Sequence, residues 1–256
     1  MNLEQIKKST EYLKLINLYI LEKKGETLLD IINYCHKISP ELKLFCSENE
    51  KYLKIKNKKD KGLLGKIVEF YIFGNLPNSN SSPDTKLGDI KTTNLKKLKN
   101  GSLNAKERLT LTNFGNPFSE EILDEIITKK SINETKYFKK ISKGVIIVGI
   151  HDSSVKNSFE NLLQKKIIGF ISYSFENFDN EDLIQINYDF EKIKECLIEG
   201  KPTQSGQKYL HIHRHSSGGE DKTRAFGFTN KFLTKIIANF LGLDFIENKK
   251  KYFFNL

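Results

Sequence analysis

The stretch Gly144-Val145-Ile146-Ile147-Val148-Gly149-Ile150 leaves this chain few ways to fold. Between its glycines it is apolar and β-branched, which favours a strand over a helix. Neither face of such a strand offers anything to water, so both must be covered, as in a buried central strand. Neighbouring patterns supply the covering layers. Apolar residues recur at helical spacing over residues 3–21 (Ile6, Leu13, Ile16, Ile20) and 27–38 (Leu28, Ile31, Ile32, Cys35). They do so again over residues 62–73, and over 181–199 with Leu183, Ile186, Phe190, Ile193 and Leu197. Further strands are expected near 109–112 and 167–173, and a last helix from Thr229. Helices and strands interleave, so the expected class is α/β. No repeat or low-complexity linker separates independent domains.

The 256 residues include 42 Lys and Arg against 32 Asp and Glu, a formal net charge of +10. Such an excess favours polyanionic partners, nucleic acid ahead of a membrane surface. Cys35, Cys46 and Cys196 are far apart and odd in number, which suits neither a disulfide framework nor a zinc motif and points to a reducing compartment. The start lacks a basic stretch followed by an apolar core, and no apolar run is long enough to span a bilayer. The expectation is a cytoplasmic protein with no membrane partner.

Chemistry concentrates in Pro83-Asp84-Thr85-Lys86-Leu87-Gly88-Asp89-Ile90-Lys91-Thr92. On a strand, Asp89 and Lys91 share one face while Ile90 enters the core. Asp84 can reach the same point from the preceding turn. Two acids can hold Mg²⁺, and a lysine beside it can orient or deprotonate a water, which suits phosphodiester hydrolysis. An acid-x-Lys triplet also decorates solvated strands. Glu69 is the lone acid in the apolar 62–73 helix; it must be paired, bind a metal or emerge at the helix edge. The basic run 54–61 reads as a solvated loop or a phosphate contact.

Tyr209-Leu210-His211-Ile212-His213-Arg214-His215 alternates along a strand, with Leu210 and Ile212 on one side and the histidines on the other. Three histidines suit zinc, phosphates and base edges, or the polar face of an edge strand. Residues 216–222 form a loop able to close on a ligand. Arg224 can make a bidentate contact with guanine or phosphate, and Lys231, near the start of the last helix, invites a phosphate.

Together these pieces resemble the MutH-like branch of the PD-(D/E)XK nucleases, which contains the mismatch-repair nickase and related type II restriction endonucleases. Lys59-Asp60-Lys61-Gly62-Leu63-Leu64-Gly65-Lys66-Ile67-Val68-Glu69 is similar to the family's first catalytic helix. Pro83-Asp84 with Leu87-Gly88-Asp89-Ile90-Lys91-Thr92 resembles its metal-binding hairpin. Tyr209-Leu210-His211-Ile212 and Arg224-Ala225-Phe226-Gly227-Phe228 resemble its DNA-reading strand and end segment. Order and approximate separation agree over residues 59–240, whereas residues 1–50 match only as helices. Two departures stand out: the gap from Asp84 to Asp89 is shorter than the family's usual hairpin, and the second acid is Asp rather than Glu.

The resemblance implies a single nuclease domain over residues 1–256, with a catalytic half (1–130) and a half that completes the sheet and reads DNA (131–256). Its core is a PD-(D/E)XK mixed central β-sheet flanked by helices, with two arms forming a DNA cleft. It implies a sequence-specific type II endonuclease for double-stranded DNA, Mg²⁺-dependent, leaving 5′-phosphate and 3′-hydroxyl ends, as monomer or homodimer. Asp84 and Asp89 would hold the metal with Glu69 at the rim, and Lys91 would orient the water. His211, His213, Arg214, His215 and Arg224 would read the DNA. The alternatives are a strand nickase working with partner proteins, a DNA-binding protein without catalysis, and a zinc hydrolase centred on His211, His213 and His215.

Overall fold

The computed structural model describes residues 1–23, 26–53, 62–76, 84–154, 158–201, 206–214, 223–248 and 251–255. The basic run 54–61, Pro83, His215 and the 216–222 loop fall outside these. The helices are α1 (Leu3–Lys8), α2 (Thr10–Lys23), α3 (Leu28–Ile38), α4 (Pro40–Asn49), α5 (Leu63–Tyr71), α6 (Glu120–Ile127), α7 (Phe138–Ile141), α8 (Phe159–Leu163), α9 (Asn180–Ile198) and α10 (Asn230–Phe240). The strands are β1 (Asp89–Lys97), β2 (Leu103–Ala105), β3 (Leu109–Gly115), β4 (Lys143–Ile150), β5 (Ile167–Ser174), β6 (Leu210–Arg214), β7 (Arg224–Phe228), β8 (Ile246–Asn248) and β9 (Lys251–Phe253). The protein is α/β, with a mixed sheet and flanking helices. Among the described residues no helix is long and apolar enough to cross a membrane.

The chain divides into two compact units, each assembled from two stretches: Met1–Lys96 with Gly144–Tyr173, and Lys97–Lys143 with Ser174–Leu256. In the first unit, β4 lies between β1 and β5. β1 and β4 run parallel, with Asp89 opposite Gly144 and Leu95 opposite Ile150. Ile150 N–H donates to Lys166 O while Gly144 lies against Tyr173, so β5 returns antiparallel to β4. Val145, Ile146, Ile147 and Val148 are all buried, as a strand covered on both faces requires. One core joins Leu13 and Ile16 of α2, Leu28 and Ile31 of α3, Ile67 and Phe70 of α5, and Ile90, Val145, Ile147 and Phe170 of the sheet. The Asn17 amide fastens α2 to β5, donating to Phe170 O and accepting from Phe170 N–H, both at 2.8 Å.

Local signals explain most boundaries. Thr27 caps α3 through a capping box with Asp30, and Ser39 caps α4 with Pro40 in its first turn. The helical spacing over 3–21 belongs to two helices, not one, because Ser9 is extended between α1 and α2. Ser and Thr compete for backbone hydrogen bonds, and the Ser9-Thr10 pair breaks the run.

The second unit holds an antiparallel sheet in the order β3-β7-β6. Its interior is strongly aromatic, with Phe228 against Phe232 (ring centroids 5.0 Å apart) and Phe114 against Phe226 (4.8 Å). Thr229 caps α10, its side chain accepting from Phe232 N–H.

Candidate active site

A four-residue turn builds the acidic site. Thr85 N–H donates to Gly88 O and Gly88 N–H to Thr85 O, both at 3.1 Å. The Thr85 hydroxyl donates to Gly88 O at 2.9 Å and accepts from Leu87 N–H at 3.1 Å. Gly88 sits at φ 105°, a conformation that disfavours a side chain. The turn folds Asp84 back so that its Oδ2 accepts from Ile90 N–H at 2.9 Å. Asp84 is thereby held against the start of β1, the strand that Asp89 opens. Asn75 links this turn to α5: its N–H donates to Glu69 O at 2.9 Å and its side-chain amide to Asp84 O at 2.8 Å.

On β1, Asp89 is 3% exposed and Ile90 is buried in the core. Lys91 Nζ stands 2.9 Å from Asp89 Oδ2, with the lysine side chain partly open to solvent. Glu69 joins them from α5. Burial first, and then the Asp84 carboxylate, pushes the Glu69 carboxyl up to about 7; Lys91 and Lys66 oppose this and Asp89 adds to it. Glu69, Asp84, Asp89 and Lys91 thus share one electrostatic environment inside the first unit.

Glu69, Asp84 and Asp89 carry only oxygen donors, the type a hard divalent cation takes. Burial is the largest cause of the raised Glu69 carboxyl, and the Asp84 and Asp89 charges add to it. In donor type alone, these residues suit Mg²⁺. Among the described residues, no three His, Cys, Asp or Glu side chains are gathered closely enough to enclose a metal ion. Asp84 instead accepts from the backbone and Asp89 from Lys91.

In the second unit, His211 and His213 share one face of β6, opposite Gly227 and Ala225 of β7. Their rings stack with centroids 4.9 Å apart. A side chain at Gly227 would begin 2.8 Å from His213 Cε1 and 3.2 Å from His211 Nε2, so the glycine makes room for both rings. His213 Nε2 lies 3.0 Å from Thr110 Oγ1. Burial, and then the Arg108 charge, drives His211 down to about 4, so its ring is neutral at pH 7. Arg214 and Arg224 pair across the β6–β7 ladder on the opposite face, Arg214 exposed and Arg224 buried. Lys231 Nζ is 2.7 Å from Glu247 Oε1 and 5.7 Å above the Tyr209 ring.

Asp84, Asp89, Lys91 and Glu69 are therefore brought together, as are His211 and His213, whereas the two arginines lie across the sheet from the histidines and Lys231 is held by Glu247. Sequence reasoning missed Asn75, Thr110 and Arg108. The last two sit on β3 and its approach, where strand alternation offers the signal. Comparison with protein-family models gives no match, and comparison with curated proteins gives none.

Proposed function

We propose that this chain is a sequence-specific, Mg²⁺-dependent endonuclease of double-stranded DNA, built on a PD-(D/E)XK core. The observation that carries this reading is the turn that delivers Asp84 to the start of β1, beside Asp89, Lys91 and Glu69. Asp84 and Asp89 would hold the cation, with Glu69 at the rim. When bound, a divalent ion supplies charge neutralisation at the scissile phosphate and a more acidic water.

The chain's own groups do the positioning. Lys91, fixed by Asp89, holds the attacking water in line with the departing 3′-oxygen, leaving 5′-phosphate and 3′-hydroxyl ends. Neutral His211 presents an imidazole able to donate or accept in the major groove. His213, oriented by Thr110, stands beside it, and Arg214 and Arg224 add charge on the other face of the same strands.

Incubating the purified protein with phage DNA and Mg²⁺, then sequencing the ends, tests the reading; cleavage at one short motif is expected. Lys91→Ala should reduce the rate by at least about a hundredfold, on the scale of removing a positioned catalytic group. The same variant should keep its gel shift on cognate DNA in Ca²⁺. Full cleavage by Lys91→Ala removes the lysine from the mechanism. Specific binding by the unmodified chain with no cleavage in Mg²⁺ or Mn²⁺ identifies a DNA-binding protein without catalysis.

A further inference from the structure

Tyr173, near the end of β5, belongs to the apolar strand pattern and draws no attention in the sequence. Its position is governed by Gly144. A side chain added at Gly144 would begin 2.7 Å from Tyr173 Cε1, 2.9 Å from Tyr173 Oη and 2.8 Å from Asp89 O. Real side chains do not tolerate such distances, so the glycine is what admits the tyrosine ring. Gly144 is also the register partner of Asp89 on the parallel strand. Partners in register project to the same face, so the phenol lies across a glycine from Asp89, on the side its carboxylate occupies. Tyr173 is 4% exposed and Asp89 3%, so water does not screen the two polar groups from each other.

We propose that Tyr173 is a positioning residue of the acidic site, its hydroxyl setting the direction of the Asp89 carboxylate that would hold the divalent cation. The inference rests on the nuclease reading and deepens it. A phenol ordinarily ionises only near about pH 10, so at neutral pH the hydroxyl is a proton donor. Asp89 then has two different neighbours. Lys91 neutralises Oδ2, and the tyrosine offers a dipole that does not compete for the cation. A neutral donor behind a metal-holding carboxylate typically changes metal affinity by about 10–100-fold.

The test is Tyr173→Phe, which keeps the ring between Gly144 and the core and removes the hydroxyl alone. Mn²⁺ and Ca²⁺ uptake by the full chain is measured by titration calorimetry, with the denaturation midpoint as the control for folding. Uptake weakened about tenfold at an unchanged midpoint is expected, with more Mg²⁺ needed for half-maximal cleavage. Gly144→Ala keeps the hydroxyl but displaces the ring, and should weaken uptake in the same direction. Unaltered uptake in both variants, beside an unmodified chain that binds and cleaves, overturns the role of Tyr173 and leaves the nuclease reading standing. No uptake of either cation by the unmodified chain overturns the parent reading and this inference with it.

Discussion

Glu69 shows how one residue registers the whole site. Its carboxyl sits at about 7 against an ordinary 4.5, through burial and then the Asp84 charge, so the folded chain binds this proton more tightly than the unfolded chain. The associated stability is fully present below pH 4.5 and is lost as the pH rises through 7. In EDTA, the melting temperature of Glu69→Gln should therefore fall less than that of the unmodified chain between about pH 5 and pH 8. Equal slopes would show that the carboxyl is not held in this environment. Lys91 lowers the Glu69 carboxyl, so Lys91→Ala should steepen the slope. Glu69 is conspicuous in the sequence as a lone acid among apolar residues, but its titration depends on Asp84, delivered by a turn that no periodicity reveals. Lys231 teaches the same lesson in reverse. Its partner Glu247 lies on β8 of a short terminal hairpin, too brief to leave a pattern.

At the scale of elements, strands and helices follow from apolar spacing, whereas the clamps between them do not. The expected strand over Gly144–Ile150 became β4, and the helix from Thr229 became α10 with Thr229 as its cap. The capping box of Thr27 with Asp30 is not anticipated; the helical spacing over 27–38 locates α3 but not its cap. The hidden clamp is Asp189, a fully buried carboxylate on the apolar face of α9. It accepts N–H groups from Lys208 (2.9 Å), Tyr209 (2.5 Å) and Leu210 (2.9 Å), and the Gln185 amide at 2.9 Å. These donors stand at the head of β6, so one side chain ties the histidine-bearing strand to its helix. Burial pushes the Asp189 carboxyl up while the three backbone donors pull it down, and burial wins. Asp189→Asn sets an amide N–H against these donors and should cost about 2–3 kcal/mol, measured by urea unfolding. A change under about 0.5 kcal/mol, the usual range for surface substitutions, would deny the clamp its role. Nothing in the sequence flags it, because a polar residue on a helix face reads as solvated until its partners, about twenty residues on, are placed.

For the whole molecule, the net charge of +10 is legible from composition, but its purpose is not. Several lysines are already engaged, Lys91 by Asp89, Lys136 by Glu121 and Lys235 by Asp179 and Asp182. Counting cations therefore overstates the charge that can reach phosphates. Salt dependence measures the charge that does. Each phosphate contact releases condensed counterions, so log affinity falls linearly with log salt at a slope of about −0.9 per contact. If the basic surface tracks a duplex through about four contacts, affinity measured in Ca²⁺ should drop roughly a hundredfold between 50 and 200 mM salt. Arg224→Ala separates this background from base reading. Loss of a phosphate contact lowers the slope by about one on every sequence, whereas loss of a base contact keeps the slope and weakens cognate DNA alone. Because Arg224 is buried and faces Arg214 across the ladder, a base-reading role requires the pair to draw one anionic or electron-rich group between them. A flat salt response would mean that the lysine excess does not act through phosphates, and an Arg224→Ala variant with unchanged slope and unchanged cognate preference would place the arginine outside the DNA contact.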